Sequence, residues 1–237
     1  MFKLALIAGS AIALTSIALT SVGLSSVGPD RIGDPFPLRD CPVAMHEIGE
    51  MHEPSIRVYE GREIRFCCDD CIETFEEDLT KSIAEVDALI IADQMPFYPL
   101  NECLIGEDPL VVDGENIALD RVFNNRLFRF CCEGCVGVVA KDPAAAIAKL
   151  DKAVIDAQRA TYPLKTCLIS GEDLPSAEDV VEIVVANRLI RLCCDGCLLT
   201  LEGNPGLHIQ KLDAAWKAAR PEMFAPQAIP ETTTGKS

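Results

Sequence analysis

Three stretches of the chain share one order of hydrophobic and polar positions. Ile56 to Phe66, Leu119 to Phe130 and Val181 to Leu192 are rich in β-branched and aromatic residues, and each is interrupted near its middle, by Gly61, Asn125 and Asn187. Gly and Asn best tolerate the left-handed backbone of a tight hairpin turn, so each stretch predicts an antiparallel hairpin. In the return strands, side chains alternate with period two. Ile64 and Phe66 fall on one face and Arg65 and Cys67 on the other, and Arg129 with Cys131 and Arg191 with Cys193 repeat the arrangement. Further along, the period lengthens. Ile83, Val86 and Ile90, then Ile147, Leu150 and Val154, then Ile209, Leu212 and Trp216 recur at i, i+3 and i+7, which predicts one buried stripe on a helix in each case. Asp87, Asp151 and Asp213 stand beside these stripes and read most simply as solvated or capping side chains.

The two ends differ from this pattern. From Leu4 to Leu24 the chain is apolar apart from scattered Ser, Thr and Gly, and Lys3 is the only charge before Asp30. Residues 1–28 therefore read as a signal peptide or an uncleaved membrane anchor, which would deliver the rest to a periplasmic or extracellular compartment. The tail 221–237, with three consecutive Thr, lacks any period and is expected to be disordered. With 37 acidic and 21 basic side chains, the formal charge of -16 argues against a nucleic-acid partner, which needs clustered Lys and Arg. It also disfavours adhesion to anionic lipid, leaving the N-terminal segment as the membrane contact.

The cysteines turn this pattern into an architecture. Phe36-Pro37-Leu38, Tyr98-Pro99-Leu100 and Tyr162-Pro163-Leu164 each stand just before a cysteine, at Cys41, Cys103 and Cys167. Each of these is followed by a CCxxC cluster: Cys67, Cys68 and Cys71; Cys131, Cys132 and Cys135; Cys193, Cys194 and Cys197. All 12 cysteines are used, four per copy. The expected fold is α+β: three tandem small repeats over 36–95, 98–160 and 162–220, each a β-hairpin with a Cys cluster followed by helices. Short connectors favour repeats packed on one another. Aromatic residues make up only 5% of the chain, so each small unit needs a staple. A hairpin that delivers one cysteine, with another four residues later in the first turn of a helix, forms a metal knuckle, and the loop cysteine closes it from the other side. Thiolates suit Zn2+ or Cu+ and not magnesium or calcium. All 12 cysteines are candidate ligands, and nothing in the sequence points to a catalytic set.

The loop Cys, the hairpin, and Phe-Cys-x-x-x-Cys opening a helix before an Asp-Pro together resemble the YHS and TRASH domains, small heavy-metal-binding modules related to treble-clef zinc folds. The matching residues are Cys41 with Phe66, Cys67 and Cys71; Cys103 with Phe130, Cys131, Cys135 and Asp142-Pro143; and Cys167 with Leu192, Cys193 and Cys197. The resemblance implies treble-clef or zinc-ribbon-like repeats, and metal binding, sensing or trafficking. The third copy departs from it with Leu192 and Asn204-Pro205, the first with Asp78-Leu79, and Cys68, Cys132 and Cys194 occupy a position that is often Ser in the family. The loop of the first copy also carries Met45-His46 and Met51-His52, donors that a copper site would recruit, or else plain exposed loop residues. Cys41-Pro42-Val43-Ala44-Met45-His46 is similar to the Cys-Pro-Met-His-Pro segment of efflux adaptors with two residues inserted. His208 reads as a surface helix residue.

Two other readings remain open at this stage. An exported chain with an even cysteine count can form disulfides, giving a disulfide-stapled structural or interaction protein. The CxxC pairs at predicted helix starts, with Arg65, Arg129 and Arg191 nearby, suit a thiol-disulfide oxidoreductase, although those arginines can equally pair with carboxylates.

Overall fold

The computed structural model describes residues 31–225. The expected signal or anchor over 1–28 lies outside them, as does most of the tail. The chain folds as mixed α and β, and one order of elements occurs three times. The first unit has strands β1 (Ser55–Tyr59) and β2 (Arg62–Phe66), then helices α1 (Asp70–Glu76) and α2 (Leu79–Gln94). The second has a small hairpin, β3 (Val111–Val112) and β4 (Glu115–Asn116), before β5 (Leu119–Phe123), β6 (Arg126–Phe130), α3 (Glu133–Val139) and α4 (Pro143–Gln158). The third has β7 (Val181–Val185), β8 (Arg188–Leu192), α5 (Asp195–Gly203) and α6 (Pro205–Ala219).

Each hairpin turns where its sequence predicts. Glu60-Gly61, Asn124-Asn125 and Ala186-Asn187 all have positive φ, as a two-residue turn matching the twist of its strands requires, and Tyr59, Phe123 and Val185 pair with Arg62, Arg126 and Arg188 across them. The long helices start at side-chain caps: Asp78 accepts from the Lys81 N–H, Asp142 from Ala145 and Asn204 from Leu207, satisfying a donor that the first turn leaves free. Val86 and Ile90, then Leu150 and Val154, then Leu212 and Trp216 are buried against the return strands, as the stripes predict.

The units pack on one another. Val122 of the second unit joins the first core, Leu189 of the third joins the second core, and Phe97, from the end of the first unit, joins the third. Such packing changes the meaning of strand alternation. Every residue of β2 and β6 is buried, because the face turned away from the unit's own helix is covered by a neighbouring unit. Gln94 donates to the Asn125 carbonyl and accepts from the Leu127 N–H, and Gln158 does the same with Asn187 and Leu189. Among the described residues, no helix precedes the first hairpin. There the Ile32 N–H, from the arm at 31–35, donates to the Gly61 carbonyl at 2.8 Å.

Three expectations are corrected. Asp87, Asp151 and Asp213 are neither caps nor merely solvated: they accept from Arg62, Arg126 and Arg188, the first residue after each turn, at 2.5–2.6 Å. His208 is buried, since its face of α6 turns inward, and its Nδ1 has no partner. Pro221–Phe224, the start of the expected disordered tail, forms a 3-10 turn whose Phe224 ring meets Phe97 edge to face at 5.5 Å. Among the described residues, no helix is long and apolar enough to cross a membrane.

Candidate metal centres

Local structure places the cysteines in the same order in each unit. Cys67, Cys131 and Cys193 directly follow a return strand, while Cys71, Cys135 and Cys197 lie in the first turn of the short helix. Cys132 and Cys194 are the extended N-cap residues of α3 and α5; in the first unit the helix starts one residue later, with Asp69 at the N-cap. The loop cysteines sit in tight bends pinched by the bridges Asp40 to Glu47, Glu102 to Pro109 and Thr166 to Asp173. In each bend the cysteine N–H donates five residues on, to the carbonyl of His46, Asp108 or Glu172. Met45, Glu107 and Gly171 take the positive φ that closes the bend.

These elements bring Cys41, Cys67 and Cys71 together, then Cys103, Cys131 and Cys135, then Cys167, Cys193 and Cys197, with the Sγ atoms of each triad within 4.8 Å of one another. The fourth cysteine flanks each triad from the helix start, beside the two helix-side sulfurs but outside the group whose sulfurs all lie within 4.8 Å of one another. Cys68 Sγ lies 4.0 Å from Cys67 and 3.4 Å from Cys71. Cys132 lies 3.8 and 3.7 Å from Cys131 and Cys135, and Cys194 lies 3.8 Å from both Cys193 and Cys197. Four sulfurs bound tetrahedrally at about 2.3 Å from zinc stand roughly 3.8 Å apart. The spacings among the three sulfurs of each CCxxC cluster, 3.4–4.0 Å, match that figure and are too long for a sulfur–sulfur bond of about 2.05 Å. The 12 thiols are free.

Backbone donors prepare the loop thiols for negative charge. Burial alone would raise Cys167, but the Ser170 hydroxyl and the N–H groups of Ser170, Cys193 and Ile169 outweigh it and bring the thiol down to about 6. Burial is likewise outweighed at Cys41 by the Ala44, Cys67 and Val43 N–H groups, and at Cys103 by those of Gly106, Cys131 and Ile105. N–H groups of Cys135 and Cys197 lower Cys132 and Cys194. The remaining members are pushed the other way, chiefly by burial: Cys67 and Cys135 up to about 11, Cys197 up to about 12, and Cys71 and Cys131 upward. Each cluster thus sets a thiol eased toward ionisation beside thiols that burial inclines to keep their protons. A bound metal would displace those protons.

Gly106 belongs to the second site for a steric reason: a Cβ there would lie 3.0 Å from Cys131 Sγ and 3.2 Å from Cys135 Sγ. Met45, His46, Met51 and His52 are exposed, and the groups that could hold a metal consist of cysteines alone among the described residues. Arg65, Arg129 and Arg191 pair with Glu63, Asp120 and Glu182 at 2.7–3.1 Å, so their charges are engaged away from the thiols. Sequence reasoning passed over Arg62, Arg126 and Arg188, although an Arg directly after each turn residue was visible in all three copies.

No protein-family model, curated protein or solved structure matches the chain.

Proposed function

We propose that the chain is an exported metal-binding protein in which each Cys quartet coordinates one Zn2+ or Cu+ ion, for metal handling or as a metal-stapled interaction scaffold. The observation that carries this reading is the spacing of 3.4–4.0 Å among the helix-side sulfurs, the edge length of a metal–thiolate tetrahedron. The order of loop Cys, hairpin, knuckle and capped helix supports treble-clef-like repeats of the YHS and TRASH kind. Anaerobic purification followed by metal analysis and thiol counting on one sample tests the reading. Three metals per chain with 12 thiols reactive after chelation and denaturation is the expected result; no metal and no reactive thiols would favour the disulfide-stapled alternative.

A thiol-disulfide oxidoreductase is the second reading. It draws on exposed Cys132, a lowered thiol 3.7 Å from the raised and buried Cys135. Insulin reduction by the metal-free protein, lost in Cys132→Ser, would support it.

A further inference from the structure

The three clusters are alike in plan but unlike in access. In the first, Cys41, Cys67 and Cys71 are 0%, 6% and 7% exposed, and Cys68 is half-buried. In the second and third, Cys131 and Cys193 are half-buried, while Cys132 and Cys194 are exposed. The sequence between the paired cysteines follows this division. Gly134 and Gly196 lie beside the exposed thiols and add no side chain there, whereas the first unit carries Asp70 at that position; a Cβ at either glycine would make ordinary contact with Sγ, at 3.6 and 3.7 Å. Asp69 next to it is pinned by the Ser55 hydroxyl at 2.7 Å.

Packing adds a second difference. The loop that carries Cys41 is clamped by the third unit: a Cβ at Gly206 would lie 2.3 Å from the Leu38 carbonyl oxygen, and Asn204 at the start of α6 donates to the Ile48 carbonyl at 3.5 Å. Lifting Cys41 away from its partners therefore requires the first and third units to separate. At Cys132 and Cys194, an incoming ligand meets a sulfur directly.

We propose that the clusters divide their work: the first holds a structural ion, and the second and third hold exchangeable thiophilic ions that pass to thiol acceptors through Cys132 and Cys194. The inference rests on the metal-binding reading above. Transfer is a ligand exchange with no change of oxidation state. The acceptor thiol loses its proton as its sulfur bonds the metal, the bond from metal to Cys132 or Cys194 breaks, and the released thiolate takes up a proton. Closed thiolate sites are the structural type, and an exposed thiolate is the reactive one.

The test uses the full chain, loaded with zinc under anaerobic conditions and mixed with excess EDTA, with aliquots alkylated by iodoacetamide and mapped by mass spectrometry. Two zinc equivalents should leave in a fast phase while the circular dichroism of the fold persists. The third should leave about tenfold or more slowly, at the rate of unfolding. Fast alkylation should fall on Cys132 and Cys194, with Cys41, Cys67 and Cys71 protected. Cys132→Ser should remove one equivalent from the fast phase. Three bound equivalents leaving in a single phase, or early alkylation of Cys41, Cys67 or Cys71, would overturn the division of labour and leave the metal reading standing. Failure to bind zinc at all would overturn both.

Discussion

Replacing Arg126 by Ala should unfold this protein more readily than almost any other single change outside the thiols. Its guanidinium is completely buried; Nε and one terminal nitrogen reach both oxygens of Asp34 at 2.7 and 2.8 Å, and the other terminal nitrogen reaches Asp151 at 2.6 Å. Asp34 also accepts from the Ala186 N–H at 2.6 Å, so one cation ties the arm, the second unit and the third together. Burial weakens the charged guanidinium, but the two carboxylates more than compensate and raise its pKa. Truncation leaves Asp34, itself buried, without its counter-ion, a loss of about 3–5 kcal/mol. Arg188 is held by Asp93 and Asp213 and should cost a similar amount. Arg62 has Asp87 as its one ion-pair partner and a terminal nitrogen with no partner, and burial lowers its pKa despite Asp87. Its truncation should cost less, about 1–3 kcal/mol. Urea unfolding monitored by circular dichroism, in one fixed zinc buffer so that metal linkage is constant, gives the three values. The double variant Arg126→Ala with Asp34→Ala should recover part of the loss, because the uncompensated carboxylate is gone. Equal costs at all three positions, or strict additivity in the double variant, would refute this account of the network.

Other perturbations probe different parts of the structure. Glu63 is buried, which alone would raise its pKa, yet Arg65, the Phe36 N–H and Arg31 hold it below its ordinary 4.5. A lowered carboxylate stabilises the fold above its unfolded pKa, and that contribution fades as pH falls below about 4.5 toward the folded value. Glu63→Gln should flatten stability against pH in this acid range, and an unchanged acid profile would contradict the assignment. Gly206→Ala forces a methyl against the Leu38 carbonyl and should cost about 1–3 kcal/mol by thermal or urea unfolding; a neutral result would mean that the junction between the first and third units is loose. Gly106→Val pushes on Cys131 and Cys135 and should weaken the second site alone, by roughly 10- to 100-fold in zinc competition titrations. Equal weakening at all sites would show that the glycine acts through the fold.

Much of the local structure was legible because each feature depends on near neighbours. Gly61, Asn125 and Asn187 set the turns by backbone sterics, and the stripe from Ile147 to Val154 required only helical spacing. The cysteine quartets were legible because repetition exposed their common spacing. What escaped depends on the units meeting. Asp87, Asp151 and Asp213 looked solvated because their partners are Arg residues some 25 positions earlier, and His208 looked exposed because periodicity alone does not say how wide the covered face of α6 becomes. Arg65 needed two observations, its carboxylate at Glu63 and the carbonyls of Glu202 and Gly203 in the third unit, and only the first was within reach of a sequence. Unequal access to the clusters was hidden for the same reason: the motifs are nearly identical, and packing makes them differ.

X-ray absorption at the zinc edge of the anaerobically purified, zinc-loaded chain tests the central claim most directly. Three thiolate quartets predict a shell of about four sulfurs at about 2.3 Å per zinc, with little nitrogen or oxygen. A shell dominated by nitrogen or oxygen at about 2.0–2.1 Å would place the metal away from the cysteines and contradict the account.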